Sequence, residues 1–146
     1  MRQEFANSFG TTYLTVEYDQ PNNWIYNDWQ GLLSTESVIQ GSTGVLRVLE
    51  QTRCPYILND NRHVLGSWKQ ANEWIEQTWM PLALVAGLRY HAHIVAPGVF
   101  GQASAEDMHL RVGLRFQMRL FESMAEAQAW LKAMQQVGNH NPAPTE

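Results

Sequence analysis

The chain has 146 residues, and its 14 acidic and 10 basic side chains give a formal net charge of −4. No cluster of Lys and Arg is available to neutralise phosphates, so we do not expect a nucleic-acid partner. No apolar stretch reaches the roughly 20 residues of a membrane-spanning helix, and no apolar signal core follows the start, so we expect a cytoplasmic protein without a membrane span. The composition predicts one folded domain over residues 1–137, and the polar residues 138–146 predict a disordered tail.

The first half of the chain predicts a hairpin, a helix and a buried strand. Residues 13–18 alternate polar and apolar side chains and residues 24–29 are rich in aromatics, with a turn of Asp, Pro and Asn between them. Ser34 is a good N-cap for an amphipathic helix. Residues 55–60 are apolar on both faces, as in a strand at the middle of a sheet, and we expect that strand to end within the polar run NDNR.

The second half predicts helices that alternate with strands. The helix that starts near Ser67 carries an apolar stripe with two tryptophans and bends or restarts at Pro81. Further helices are expected to start at Ser104 and at Ser123, with Asp107 and Glu126 as their capping partners. The predicted strands of this half span residues 88–96 and 115–121. The last helix is expected to bury Met124, Ala127, Leu131 and Met134.

Strands separated by single helices predict an α/β fold with right-handed crossovers. The expected sheet is mainly parallel, with four or five strands and an antiparallel strand at one edge. Polar side chains alternate with apolar ones in both late strands, at Arg89, His91 and His93 and again at Arg115 and Arg119. These alternations predict helices mostly on one face of the sheet, with the other face partly open and cationic.

Four stretches resemble a group of small bacterial STAS-like proteins. They read NDNRHVLGSW at 59–68, AxxWxxxxWxP at 71–81, GLRYHAHIV at 87–95 and FESMAEAQAWL at 121–131. The group is related to the anti-sigma-factor antagonists and, more distantly, to the CRAL-TRIO lipid carriers. The resemblance extends from about Tyr13 to Met134 and implies a STAS-like beta-alpha superhelix with helices mostly on one face. It implies no particular activity.

The polar run Asn59, Asp60, Asn61 and Arg62 is a candidate binding site. Ligands and partners usually bind at the carboxyl edge of a parallel sheet, where this run is expected. Alternatively, these side chains satisfy backbone groups in a tight turn, as Asn and Asp commonly do. Arg62 either pairs with Asp60 or binds an anion beside a helix N-terminus.

Ser67 and Trp68 complete the candidate site. The resemblance implies a phosphorylatable serine directly after the Asp of the strand, but here Asn61 follows Asp60 and Ser67 lies six residues further on. Ser67 also forms a capping box with Gln70, which explains it without regulation. Trp68 belongs to an aromatic set that suits core packing, a protein interface or an apolar pocket.

No residue set predicts catalysis, a metal or a cofactor, and we do not expect an enzyme. Cys54 is expected to be a small buried hydrophobe. His91 and His93 have a spacing that can bind zinc if His109 or Asp28 supplies a third ligand, but two such histidines are more often solvated or at an interface.

Two functions therefore follow from the sequence. The first is a non-catalytic STAS-like regulatory or protein-interaction module, which meets a protein partner or a second copy of itself. The alternative is a binder of a small apolar or lipid-like ligand. An internal pocket of several hundred cubic ångströms favours the ligand binder, and a core filled by side chains favours the interaction module.

Overall fold

A computed structural model describes residues 1–140, with side chains described to residue 137. It forms one six-stranded sheet in the order β1-β2-β3-β4-β5-β6. The strands are β1 Arg2–Ala6, β2 Thr12–Asp19, β3 Trp24–Leu32, β4 Tyr56–Leu65, β5 Tyr90–Ile94 and β6 Gln117–Phe121. The helices are α1 Thr35–Thr52, α2 Asn72–Trp74, α3 Met80–Ala86, α4 Val99–Val112 and α5 Met124–His140.

The sheet joins an antiparallel meander to a parallel half. β1, β2 and β3 pair antiparallel, and β3, β4, β5 and β6 pair parallel. The predicted α/β class is confirmed, and the sheet is mixed, with more strands than expected. The additional strand is β1, whose side chains are exposed or half-buried in alternation and which pairs only with β2 at the edge.

Three helical segments cover one face of the sheet. These are α1, residues 69–86 and α4, which contact one another and enclose a cavity against the sheet. The helix α5 lies on the opposite face over β4, β5 and β6, where Trp130 contacts Tyr90 edge to face. The part of the second face that α5 leaves exposed is therefore formed by the antiparallel strands.

The prediction that His91 and His93 lie on an open cationic face is wrong. His91 and His93 are 3% and 1% exposed and lie beneath the three helical segments. The register pairs His91 with Met118 and Ala92 with Arg119, so the arginine lies on the opposite face from the histidines. The polar alternation of β5 was interpreted as contact with solvent, whereas these side chains face an interior that contains other polar groups.

Residues 69–86 form a single bent segment with mixed helical geometry. A 3₁₀ turn, Lys69–Ala71, precedes α2, and a π turn, Ile75–Trp79, joins α2 to α3 at Met80, beside Pro81. The predicted restart at Pro81 is therefore close to an observed change of helix type. The predicted stripe is confirmed by the burial of Trp68, Ala71, Ile75 and Trp79.

Of the four predicted helix starts, those at Ser34 and Ser123 are confirmed and the one at Ser104 is wrong. The Ser34 side chain accepts a hydrogen bond from Ser37 N, and the Ser123 side chain accepts one from Glu126 N. Ser104, however, lies in the middle of α4 and is fully buried. Its hydroxyl accepts a hydrogen bond from Trp68 N and donates one to Phe100 O in the preceding turn of α4, so it does not cap a helix.

The last helix buries Ala127 and Leu131 fully, with Met124 and Met134 half-buried. It extends through His140, and residues 141–146 of the predicted tail lie outside the described residues. Among the helices that the structure describes, none is long and apolar enough to cross a membrane.

Candidate ligand-binding cavity

The polar run NDNR lies inside a strand. β4 was expected to end near Asp60 but continues to Leu65. The register between β3 and β4 shifts between Asp28 and Gln30, because β4 carries one more residue there than β3. This bulge occurs next to Asn61 and Arg62, and bulges of this kind often re-aim side chains beside functional sites.

The four polar residues divide between the two faces of the sheet. Asn59 and Asn61 point towards the helical layer and line an internal cavity. Asp60 and Arg62 lie on the other face and bind each other. Strand alternation explains the division, since successive side chains point to opposite sides.

The cavity lies between the sheet and the three helical segments, and its volume is about 50 Å³, counted as space open to the centre of a water molecule. On that scale one water needs about 10–15 Å³, so the cavity has room for several waters or one small organic molecule. Its polar wall consists of Asn27, Asn59, Asn61, His91, His93 and Ser42. Its apolar wall includes three indole rings, those of Trp29, Trp68 and Trp79.

A chain of hydrogen bonds fixes one side of the cavity. Trp29 Nε1 donates to Asn59 Oδ1 over 2.9 Å, which settles the orientation of that amide. Asn59 Nδ2 then donates to Asn61 Oδ1 at 3.0 Å and to His93 Nδ1 at 3.2 Å. Because His93 Nδ1 accepts this bond, the proton of the neutral ring is on Nε2.

Four polar atoms of the cavity wall lack a hydrogen-bond partner among the described residues. They are Asn27 Oδ1, Trp68 Nε1, His91 Nδ1 and His93 Nε2, and all four are buried. A buried polar atom without a partner costs about 1–3 kcal/mol, and native proteins contain few of them. The cavity is the space that these residues share, so a molecule held there can satisfy several of them together.

The cavity is electrically neutral near pH 7. Burial lowers the pKa of His91 to about 4, and burial together with the neighbouring His91 lowers the pKa of His93 to about 3. No Asp, Glu, Lys or Arg side chain is among the described residues that line the cavity. A charged ligand would lose its hydration there without gaining a counter-charge, which is unfavourable.

The other face of β4 carries a closed network around Asp60. Its carboxylate accepts from Arg62 Nε at 3.0 Å, from Arg62 Nη2 at 2.9 Å and from Tyr26 Oη at 2.7 Å. Burial alone would raise the pKa of Asp60, but these hydrogen bonds outweigh burial and hold the pKa below its usual value. Of the two alternatives for Arg62, the structure has the pairing with Asp60.

Ser67 and Trp68 have different environments. Ser67 is exposed and accepts a bond from Lys69 N at 3.3 Å, and it makes no bond to Gln70, so the expected capping box is absent from the described contacts. Its hydroxyl lies 3.2 Å from the hydroxyl of Ser104. Trp68 is buried beside His93, with ring centroids 5.8 Å apart.

Cys54 and the two histidines are the remaining candidates for reactive groups. Cys54 is buried, as expected, and burial raises the pKa of its thiol to about 11, which keeps it protonated. Among the described residues no group of three or more His, Cys, Asp or Glu side chains is placed to hold a metal ion. Of the two residues named as a possible third ligand, His109 is exposed on α4, and Asp28 lies outside the cavity that the two histidines line.

Three of the six candidate residues, Asn59, Asn61 and Trp68, line the cavity, and the other three lie outside it. Sequence reasoning missed Asn27 and placed His91 and His93 in solvent or at an interface. A usable signal was present only in β5, where alternation places His91 and His93 on one face; in β3 the polar residues fall on both faces, so Asn27 does not stand out.

Fold and cavity together define an α/β protein with a mixed six-stranded sheet and a neutral polar site between sheet and helices. Comparison with protein-family models, with curated proteins and with solved structures finds no match to this chain.

Proposed function

We propose that this protein binds a small neutral polar molecule in its internal cavity and acts without catalysis as a regulatory module. The observation that carries the proposal is the set of four buried, unpartnered polar atoms around one cavity, on Asn27, Trp68, His91 and His93. Buried polar atoms in protein interiors are nearly always bonded to protein, to ordered water or to a bound molecule, unless a function requires them free.

The chemistry of these atoms defines the ligand class. Trp68 Nε1 and His93 Nε2 are hydrogen-bond donors, and their rings are neighbours, so they suit a carbonyl oxygen. Asn27 Oδ1 is an acceptor and suits an N–H group. A neutral molecule that carries a carbonyl beside an N–H, such as a small amide or lactam, matches this set.

The size and lining of the cavity favour this class over an apolar or lipid-like ligand. A volume of about 50 Å³ is far below the several hundred expected of a lipid carrier. An apolar molecule would also leave the four buried polar atoms unsatisfied. The lipid-like alternative is therefore the weaker of the two ligand proposals.

A regulatory role of the STAS-like kind remains part of the proposal. The order of strands and helices and the four stretches that resemble STAS-like proteins support it. In such a role, occupation of the cavity would stabilise one arrangement of the helical layer, and a protein partner would bind that arrangement.

The test is a binding series with three matched ring compounds. Ligand-observed NMR would be recorded with 2-pyrrolidinone, with cyclopentanone, which lacks the N–H, and with pyrrolidine, which is a cation at pH 7. We expect the dissociation constants to rise in that order, with pyrrolidinone in the millimolar range or tighter.

Two variants locate the binding. Trp68→Phe keeps an aromatic ring but removes the donor, and it should weaken pyrrolidinone binding at least fivefold. Trp130→Phe, on the opposite face of the sheet, should change it less than twofold. If none of the compounds binds, or if both variants lose binding equally, the cavity holds only water and the proposal is wrong.

A further inference from the structure

A second site is a groove beside the edge strand β6, and it is basic in an acidic protein. The groove has a volume of about 740 Å³ and lies between the end of α4, the turn that follows it and β6. Arg89, Arg115 and Arg119 line it, together with His109. No Asp or Glu is among the described residues of its lining, although the whole chain has a net charge of −4.

The three arginines of the groove have no carboxylate partner among the described residues. Arg89 donates to the backbone oxygens of Leu84 and Leu88, and Arg115 donates to the backbone oxygen of Arg111. The guanidinium of Arg119 lies over the Phe121 ring at 5.6 Å. The ion pairs of the described residues belong to Arg62 and Arg111 instead. The positive charge of the groove is therefore uncompensated.

The groove also has a free hydrogen-bonding edge and apolar anchors. Among the described residues, β6 is the last strand of the sheet and pairs only with β5, so the backbone groups of its outer edge have no strand partner there. Beside that edge, Leu110 and Leu114 are 79% and 104% exposed. An extended peptide that pairs with such an edge gains backbone hydrogen bonds, and side-chain contacts give it specificity.

We propose that this groove, which we call the β6 groove, binds an extended acidic segment of a partner protein as a seventh strand. The carboxylates of the segment pair with Arg89, Arg115 and Arg119, and its apolar side chains contact Leu110 and Leu114. Arginine suits this task because its planar fork binds a carboxylate through two parallel hydrogen bonds. The proposal is independent of the cavity and does not need a ligand there.

The competing explanation is that charges at β6 only protect the edge. Exposed edge strands often carry charged residues that prevent pairing with other chains. An edge that is only protected does not bind an added strand, whereas a docking edge binds a strand of opposite charge. The two explanations therefore differ in one measurable property.

The experiment uses fluorescently labelled eight-residue peptides and the full chain. One peptide alternates Glu with Val and the other alternates Lys with Val, and anisotropy is followed at 50 mM and 300 mM salt. We expect the Glu peptide to bind, the Lys peptide to bind at least tenfold more weakly, and the salt to weaken the Glu peptide severalfold.

Charge-matched variants and hydrogen exchange complete the test. Arg115→Glu with Arg119→Glu should weaken the Glu peptide at least tenfold, while Arg2→Glu with Arg47→Glu, the same charge change away from the groove, should change it less than threefold. Bound peptide should also slow amide exchange in β6.

Several results would overturn the proposal. They are no binding of the Glu peptide, equal loss in both double variants, equal binding of an eight-nucleotide thymidine oligonucleotide, or unchanged exchange in β6. Circular dichroism of both double variants verifies that they are folded.

Discussion

The imidazole rings of His91 and His93 stack on β5 with their centroids 6.0 Å apart, and neither side chain reaches solvent appreciably. Two ionisable groups so close together cannot both accept a proton in an interior without a counter-charge. The carboxylate of Asp60 raises the pKa of His93 slightly, but burial and His91 outweigh it. The pair is therefore neutral in the native state, and His93 Nδ1 accepts a hydrogen bond from Asn59.

The first prediction is a loss of stability in mild acid. Burial lowers the pKa of His91 to about 4 and of His93 to about 3 in the folded chain, whereas an unfolded histidine titrates near 6.5. Between these values the unfolded state binds more protons, so stability must fall as the pH falls. Below pH 6 the two histidines together should lower the free energy of unfolding by about 2 kcal/mol for each pH unit. Urea unfolding at pH 7.5, 6 and 5 measures this change.

The control for this prediction removes the two titrating groups. In His91→Gln with His93→Gln the slope between pH 6 and pH 5 should largely disappear, although the variant starts from a lower stability. Asp60 does not interfere in this range, because its pKa lies below its usual value. An unchanged slope in the double variant would mean that other groups cause the acid sensitivity.

The second prediction concerns the hydrogen bond from Trp29 to Asn59. Asn59→Ala leaves the buried Nε1–H of Trp29 without its acceptor and should lower the free energy of unfolding by about 3 kcal/mol. In a double-mutant cycle with Trp29→Phe the coupling should be about 1–2 kcal/mol. The same cycle with Trp130→Phe, on the other face, should give a coupling near zero, and equal couplings would contradict the assignment.

The third prediction separates two neighbouring serines. Ser104 Oγ accepts from Trp68 N at 3.2 Å and donates to Phe100 O at 2.9 Å, and the residue is fully buried. Ser104→Ala should therefore cost about 1–2 kcal/mol, because it leaves the Trp68 N–H without a partner. Ser67→Ala removes an exposed contact to Lys69 N and a part-buried contact to the Ser104 hydroxyl, which keeps its bonds to Trp68 N and Phe100 O, and should cost less than about 0.5 kcal/mol in chemical denaturation. A larger cost for Ser67 would restore its expected role as a cap.

The fourth prediction compares two glycines of α1. A Cβ atom on Gly41 would stand 2.6 Å from Trp29 Cη2, and one on Gly44 would stand within contact of the ring end of Phe5. Trp29 is held by its bond to Asn59, whereas the contact on Phe5 is the far end of a half-buried side chain on the edge strand. Gly41→Ala should lower stability by about 2 kcal/mol despite the better helix propensity of Ala. Gly44→Ala should cost less, and the reverse order in thermal unfolding would refute the argument.

The part of the fold that could be predicted is the part with local signals. The hairpin of β2 and β3 has alternation on either side of a turn, and α1 and α5 have serine caps before amphipathic runs. The strand β1 has no comparable signal, since it is short and its inner side chains are only half-buried. β1 forms because it can pair with the free edge of β2. That pairing depends on the tertiary structure and leaves no local pattern in the sequence.

The candidate site was predicted only in part because its residues are far apart in the sequence. Asn59 and His93 are hydrogen-bonded across 34 positions, and Trp29 and Asn59 across 30. A polar residue that alternates along a strand gives the same pattern whether it faces water or a polar interior. The sequence of one strand cannot distinguish the two cases, and the deciding information lies in its neighbours.

The unequal lengths of β4 and β5 divide β4 into two parts with different dynamics. Up to Asp60 the strand is held on both sides, but from His63 to Leu65 it pairs with β3 alone. We expect the amides of this outer part to exchange with solvent through local fraying, while those of Ile57 and Leu58 exchange only when the whole chain unfolds. Asn61 stands at the boundary between the two parts and also lines the cavity. We therefore expect exchange near the cavity to begin on the side of Asn61, at the end of β4 that pairs with one neighbour among the described strands.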